Sequence, residues 1–505
     1  MAEPTGTHPF ARFEWMLSLR YLRARHSGIT RRGLLIGSAA ALVGRSTRAR
    51  AFERPIINDA SGLDPTPVAK DWIARSGGGD AFVARLRSEL KEAAAAHRPV
   101  AAAVARHSMG GQSIPRDGTA ITMKEARCEP NIAAKTYRVS AGARWRDAIA
   151  GLDKIGYSPA VMQSNNDFGV GSTFCVNAHG WPVPHGPFGS TVRSVEIMLA
   201  DGSIITCSPT QNADLFRAAM GGYGLFGIIL SVEAEMTENC LLQPHYDHVP
   251  TAAFAPIFLK HAEDPHVRML YGRLSIAKEG FFSNSLIVSY KPLPTPDGGL
   301  PPAATSGPLT GVSREIYRAQ IGSELAKRAR WIAETDIARL GSSGILTRNT
   351  LMNEPVSNLA GWDPSRTDIL HEYFVAPERF PEFIRACQDV IPSSDEEILN
   401  VTLRYVRPDA ESMLAYAPVT RIAAVMSFSQ LMTPAGEVGM MRMTEELIDR
   451  VVSIGGAFYL PYRLHARRDQ VVKAYPKADE FVAKKRQYDP DLLFRNAMWE
   501  TYFAI

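Results

Sequence analysis

The sequence predicts an α+β protein in two parts, one a glycine-rich ligand-binding domain and the other a middle domain in which helices cover a sheet. Three observations carry this reading. A short apolar strand, Pro99 to Ala105, runs straight into the glycine turn Arg106-His-Ser-Met-Gly-Gly-Gln-Ser113. A second stretch, Tyr157 to Met236, alternates glycine loops with strands and one short helix. From Thr237 to about Gly455, strand-like and helical pieces alternate, the pattern of a sheet layered with helices.

Taken in order, the first turn is built to meet an anion. Gly110 and Gly111 let the backbone come close to a phosphate, and the surrounding N–H groups form an anion nest. His107 stands at the mouth of this turn. In the second stretch, Gly169-Val-Gly-Ser-Thr again offers backbone N–H groups, while Asn177 and His179 are polar residues among small ones. Arg193 to Leu199, then Asp201-Gly202, then Ile204 to Thr206 read as a hairpin. Asn212 to Met220 reads as a helix opened by an asparagine cap and closed by Gly221-Gly222. Gly227 leads a further strand and permits a close ligand approach.

In the middle domain, Ser285 to Tyr290 and Ile398 to Tyr405 are strands, whereas Arg314 to Glu334 and Pro377 to Val390 are helices. Pro292 to Pro308, rich in proline and glycine, is a surface loop. His371, Glu372, Tyr373, Arg404 and Tyr405 are polar candidates on two of these strands. Side-chain alternation keeps Glu372 off the face shared by His371 and Tyr373, without saying which face meets a ligand.

With 505 residues, 45% hydrophobic and 21% charged, the chain can bury cores in two or three domains. The formal charge of +4 is misleading, because the first 51 residues carry a net +7 and the remainder −3. A nucleic-acid partner is therefore not expected. The arginine-rich start explains itself otherwise. Thr30-Arg31-Arg32-Gly33-Leu34-Leu35, the apolar run Leu34 to Val43 and the Ala49-Arg50-Ala51 site resemble a twin-arginine export signal, with Met16 an alternative start. The run is shorter than the roughly 20 residues a membrane span requires. The expected location is periplasmic or secreted. Cys128, Cys175, Cys207, Cys240 and Cys387 show no metal spacing, and they read as mostly free and buried, with one disulfide left open.

Together the two glycine segments resemble the PCMH-type FAD-binding domain of the vanillyl-alcohol oxidase superfamily. In pattern they stand nearest the alditol and sugar-lactone oxidase, cytokinin dehydrogenase and decaprenylphosphoryl-ribose oxidase types. The resemblance implies a two-subdomain FAD-binding domain over 52–240 behind a signal peptide at 1–51. It further implies a cap domain with a helix-covered antiparallel sheet over 241–455 and a C-terminal return to the FAD domain over 456–505. FAD would be bound covalently through His107, with Arg106, Ser108, Met109, Gly110, Gly111, Gln112 and Ser113 around the pyrophosphate and flavin. Gly171, Ser172, Thr173, Asn177 and Gly180 match the second loop, Gly227 and Ile228 the following strand, and Asn496 the terminal Asp489-Pro490 segment. No second tether is expected, since Gln163 to Phe168 lacks the cysteine of doubly linked relatives, and Cys175 reads as a small buried residue.

Tyr459-Leu-Pro-Tyr462 resembles the Tyr-Leu-x-Lys of the decaprenylphosphoryl-ribose type, with Tyr462 in the lysine place. Tyr459, Tyr462, Arg463 and His465 are thus the first catalytic candidates, and His179 and His185 the second. A tyrosine, a histidine or an arginine-assisted tyrosinate would serve as base. The implied activity is hydride transfer to flavin N5 from a CH–OH substrate, a polyol, sugar or related alcohol, with O2 or a quinone-like compound as acceptor. Reduction of an activated C=C bond, or flavin binding without turnover, are the other readings.

Overall fold

The computed structural model describes residues 54–74, 79–305, 310–337, 345–356, 361 and 363–504. The proposed export signal lies outside the described residues. Among them, no helix is long and apolar enough to cross a membrane.

Among the described residues, a two-stranded antiparallel ladder pairs Ile56–Ile57 with Thr66–Pro67, and three larger sheets frame the molecule. The smallest of these three is parallel, with Thr119–Met123 between Lys70–Ala74 and Val100–Ala103. Helix Asp80–Ala95 buries Phe82, Leu86, Leu90 and Ala93, a spacing of three to four residues that lays one apolar stripe inward. Beside it an antiparallel sheet runs Ile204–Cys207, Val192–Met198, Ile228–Glu238, Thr136–Ser140, Cys128–Asn131. The hairpin expected around Asp201-Gly202 is present, with Ile204 opposite Met198 and Gly202 at φ +81°.

The third sheet is the roof. Its eight strands run in the order Leu346–Thr347, Leu241–Pro250, Asn284–Leu293, Met269–Leu274, Glu397–Val406, Arg421–Leu431, Arg366–Val375, Ala457–Phe458, with every pairing antiparallel. Helix Pro434–Ser453 lies on one face, burying Met440, Met443, Leu447, Ile448 and Val451. His371 points to this helix, where Thr444 lies 3.3 Å away, so by alternation Glu372 points to the opposite face. The last segment then returns to the small sheet. Val100 N–H donates to Leu493 O at 2.8 Å, and Phe494 bridges Val100 in parallel.

Two elements differ from expectation. Arg314 to Glu334 is not one helix but two, Thr310–Ala319 and Glu324–Ile332. Gly322 at φ +70° breaks the run, and the Ser323 hydroxyl accepts from Ala326 N–H to start the second helix. Asn212 does precede helix Ala213–Ala219, yet its side chain does not cap it and donates instead to Thr206 O at 2.8 Å. The surface loop after Leu293 is held at its far end, where Ala303 N–H meets Asp153 at 2.9 Å. All five cysteines are free.

Candidate active site

The site is a cleft between the glycine turns and the roof sheet. Its floor comes from Ala102, Ala103 and Ala105 to Ser108 with Gln112 and Ser113, and its wall from Gln163, Ser164, Phe168, Gly169 and Ser172. Glu372, Arg404 and Val425 close it from above, with Tyr459, Pro461 and Tyr462 at the side. Residues remote in the chain are brought to one wall by a few polar ties. The Gln112 amide donates to Leu460 O at 2.7 Å and Tyr462 O at 2.9 Å, while its oxygen accepts from Gly110 N–H at 2.9 Å. Asn496 donates to Gln112 O at 2.9 Å and Tyr223 O at 3.1 Å, clamping the first glycine turn to the Gly221–Gly224 turn. Asp59 accepts from Gly111 N–H at 2.8 Å, and burial, with Asp64 nearby, pushes its carboxyl up to about 7.

His107 lines the cleft with both ring nitrogens shielded from solvent and its ring 4.7 Å from that of Phe168. Loss of solvation holds its pKa down to about 4, against the opposing pull of Asp167. The imidazole is therefore neutral at pH 7, which leaves a nitrogen lone pair for bond formation. Beneath the roof, Glu372 is only 3% exposed. One carboxylate oxygen meets His179 Nε2, and the other accepts from the Tyr462 hydroxyl at 3.2 Å. His179 itself stands among the rings of Phe374, Tyr416 and Tyr459, at 5.5, 6.0 and 6.4 Å. The Tyr459 hydroxyl donates to Val176 O at 2.9 Å.

Not every expected site residue faces the cleft. Arg106, His107, Ser108, Gln112, Ser113, Ser172, Tyr459 and Tyr462 do, and Met109, Gly110, Gly111, Gly171, Thr173, Asn177, Gly180, Gly227, Ile228 and Asn496 stand behind it. Most of these glycines answer to the protein rather than to a ligand. A Cβ on Gly110 would come within 2.6 Å of Tyr462 O, on Gly180 within 2.0 Å of Met162 O, and on Gly227 within 2.5 Å of Met198 O. Thr173 and Asn177 are likewise taken up by Trp145 and Asp409.

Arg463 and His465 also turn away from the cleft. Arg463 pairs with Glu437 and Asp64 and donates to Met109 O at 3.0 Å, and His465 meets Glu437 at 2.9 Å. Their task is to fasten the first glycine turn. His371 abuts Thr444 on the helix side, and burial, reinforced by His465, lowers it to about 3. His185 lies outside the cleft as well, lowered to about 4 by burial and by Arg348 and Arg407.

Burial would raise Glu437, but hydrogen bonds from His465, Arg463 and Gln430 overcome it and hold the carboxyl well below its usual range. Because the folded pKa lies below the unfolded one, this stabilisation is present above about pH 4.3 and fades as the pH falls. Glu437→Gln is accordingly expected to lower Tm at pH 7, with a deficit that shrinks between about pH 5 and pH 3. Thermal melts of both proteins across that window would show it.

Several lining residues carried no motif. Gly224 has φ +72° and nothing within 4 Å of where a Cβ would stand, so it is the glycine that leaves cleft space open to a ligand. Cys175 lines the cleft too, and burial pushes its thiol up to about 12, which keeps it protonated. Gly221-Gly222-Tyr-Gly224 was legible only as the end of a helix.

The donor set suits FAD: hydroxyls of Ser108, Ser113 and Ser172, the half-buried Arg106, an unfilled left-handed glycine and a neutral histidine at one end. Sequence comparison agrees. A family model described as an FAD binding domain matches residues 83–208. Residues 83–208 are thus an FAD-binding domain of the kind found in the vanillyl-alcohol oxidase superfamily of FAD-linked oxidases. Within this superfamily, cytokinin dehydrogenase 9 of Oryza sativa subsp. japonica is 36% identical over 129 residues, 24% of this chain and 25% of the relative. Cytokinin dehydrogenase 8 of Oryza sativa subsp. indica is 31% identical over 210 residues, 39% of this chain and 37% of the relative. An uncharacterized oxidoreductase of the fasciation locus of Rhodococcoides fascians is 29% identical over 158 residues, 31% and 36% of the two chains. The chain thus spans between a quarter and two fifths of the length of these curated relatives. The FAD-binding domain is of the PCMH type, and the α+β class read from the sequence is the class found.

Proposed function

We propose that the protein is an exported FAD-dependent oxidoreductase that oxidises a CH–OH substrate, a polyol, sugar or related alcohol, and passes the electrons to O2 or a quinone-like acceptor. The observation that carries this reading is the buried Glu372 facing the cleft with His179 on one oxygen and the Tyr462 hydroxyl on the other. Bound FAD supplies the acceptor for the hydride of the substrate carbon. The protein's part is the proton. A substrate hydroxyl donates to the Tyr462 oxygen, whose own proton moves along its 3.2 Å hydrogen bond to Glu372. His179 fixes the orientation of that carboxylate, and Tyr459, tied to Val176 O, keeps the wall in place.

For the cofactor, Ser108, Gln112, Ser113, Ser172 and Arg106 hold and orient, and His107 forms the covalent tether. His107→Ala is expected to abolish the tether entirely while leaving a chain that still folds. Wild-type protein precipitated with acid should keep its flavin fluorescence on a denaturing gel, and the variant should release it to the supernatant. A fluorescent band in the variant would place the tether elsewhere.

The activity itself is tested by anaerobic flavin bleaching against alcohols, polyols, sugars and lactones. Bleaching by none of them would remove the CH–OH reading. Cytokinins belong in the same panel, because the names of the rice relatives favour dehydrogenation of a cytokinin as the second reading. Reoxidation by air or by a quinone analogue would then separate oxidase from dehydrogenase.

A further inference from the structure

Glu372 is not the only charged group that the roof sheet places over the cleft. In its register, Glu372, Val425 and Thr402 form one row across three strands, and Phe374, Ala423 and Arg404 form the next. Side chains in neighbouring rows two residues apart share a face, and the cleft is indeed lined by Glu372, Val425 and Arg404 together. Arg404 is only 2% exposed, and its Nη2 donates to Ser164 Oγ on the opposite wall, which aims the guanidinium across the space above the floor. Strands about 4.8 Å apart and a two-residue offset put the Cα atoms of Arg404 and Glu372 on the order of 12 Å apart. Their side chains shorten the gap between the charged ends to the length of a small molecule.

The planar fork of the Arg404 guanidinium suits a carboxylate better than it suits a hydroxyl. We infer that the substrate is an anionic alcohol, a hydroxy acid whose carboxylate is held by Arg404 while its carbinol sits at Tyr462 and Glu372. This rests on the CH–OH reading above. It adds a charge requirement to it. An anion close to the Glu372 carboxylate would be repelled unless a cation held it at the far end, and Arg404 is one row and two strands away on the same face.

The test uses the flavin-loaded full chain with matched probes. Glycerate should bleach the flavin with a kcat/KM about 100-fold above that of glycerol, and Arg404→Met should collapse that ratio towards one, chiefly through KM for glycerate. Arg404→Lys, which keeps the charge without the fork, should fall between the two. Propionate, which has no hydroxyl to oxidise, should perturb the flavin absorbance of the wild type and compete with glycerate, with binding weakened roughly 10–100-fold in Arg404→Met. Glycerol preferred to glycerate, with propionate inert, would overturn the inference and leave the CH–OH reading standing. Propionate bound through Arg404 with no alcohol oxidised would uphold the anion site and remove the CH–OH reading. Should Arg404→Met fail to load flavin, the wild-type preference and the lysine variant decide the matter alone.

Discussion

Glu372→Gln is expected to slow flavin reduction by about 10²–10⁴-fold at saturating substrate, the range over which removal of a positioned general base is felt. Glutamine is nearly isosteric and still accepts through its carbonyl oxygen, so the contact with Tyr462 or with His179 survives in part and the cleft keeps its shape. What it removes is the capacity to hold a proton. Flavin content and Tm should therefore stay close to wild type, and the loss should fall on kcat rather than KM. Tyr462→Phe is expected to give a smaller loss, because Glu372 lines the cleft itself and can meet the substrate without the relay. Stopped-flow reduction under anaerobic conditions measures each of these. A Glu372→Gln enzyme reduced at the wild-type rate would move the base elsewhere in the cleft.

The site's position in the chain was legible where punctuation marks it. Glycine and proline set off Arg106 to Ser113, Gly169 to Gly180 and Tyr459 to Tyr462, and the cleft is built against all three. The reasons were only partly legible. Glycines expected to admit a phosphate instead admit neighbouring backbone, since Gly110 and Gly180 pack on Tyr462 O and Met162 O, and the glycine facing open space is Gly224. Sequence spacing also cannot see which way a turn sends its side chains. Tyr462 enters the cleft, whereas Arg463, its neighbour, leaves it for Glu437 and Asp64. Glu372 was one of three polar residues in a row, and alternation divides them without naming the inner face. That choice is made by helix Pro434–Ser453, whose Thr444 takes the His371 side. Pairing register then sets Arg404 on the same face two strands away, information that resides in the pairings of Glu372 with Val425 and of Arg404 with Ala423 and not in either strand alone.

Asp489→Asn is expected to destabilise the fold by about 3–5 kcal/mol, because it strips a buried cation of its partner. Lys485 and Asp489 are both 0% exposed and form an ion pair one helical turn apart. Asp489 also accepts from Leu493 N–H at 2.9 Å and Phe494 N–H at 2.8 Å. Lys485 sits over the rings of Phe494 and Trp499, 5.8 Å from each. This knot ends helix Ala478–Tyr488 and aims Leu493 and Phe494 at Val100, the strand that delivers the first glycine turn. The damage should therefore reach the cofactor site, with flavin loading falling along with Tm. The pH dependence has a definite sign. Burial lowers Lys485 to about 8, against the pull of Asp489, so the unfolded chain binds this proton more tightly than the folded one. Stability attached to Lys485 thus rises with pH between about 8 and 10.4. In the variant the lysine loses the carboxylate that kept it charged, and it deprotonates at lower pH still. The Tm deficit should be largest at pH 7 and should narrow at pH 9, where the neutral amine needs no partner. Calorimetric melts at the two pH values decide it, and an unchanged Tm at pH 7 would mean that this pair does not hold the C-terminal return in place.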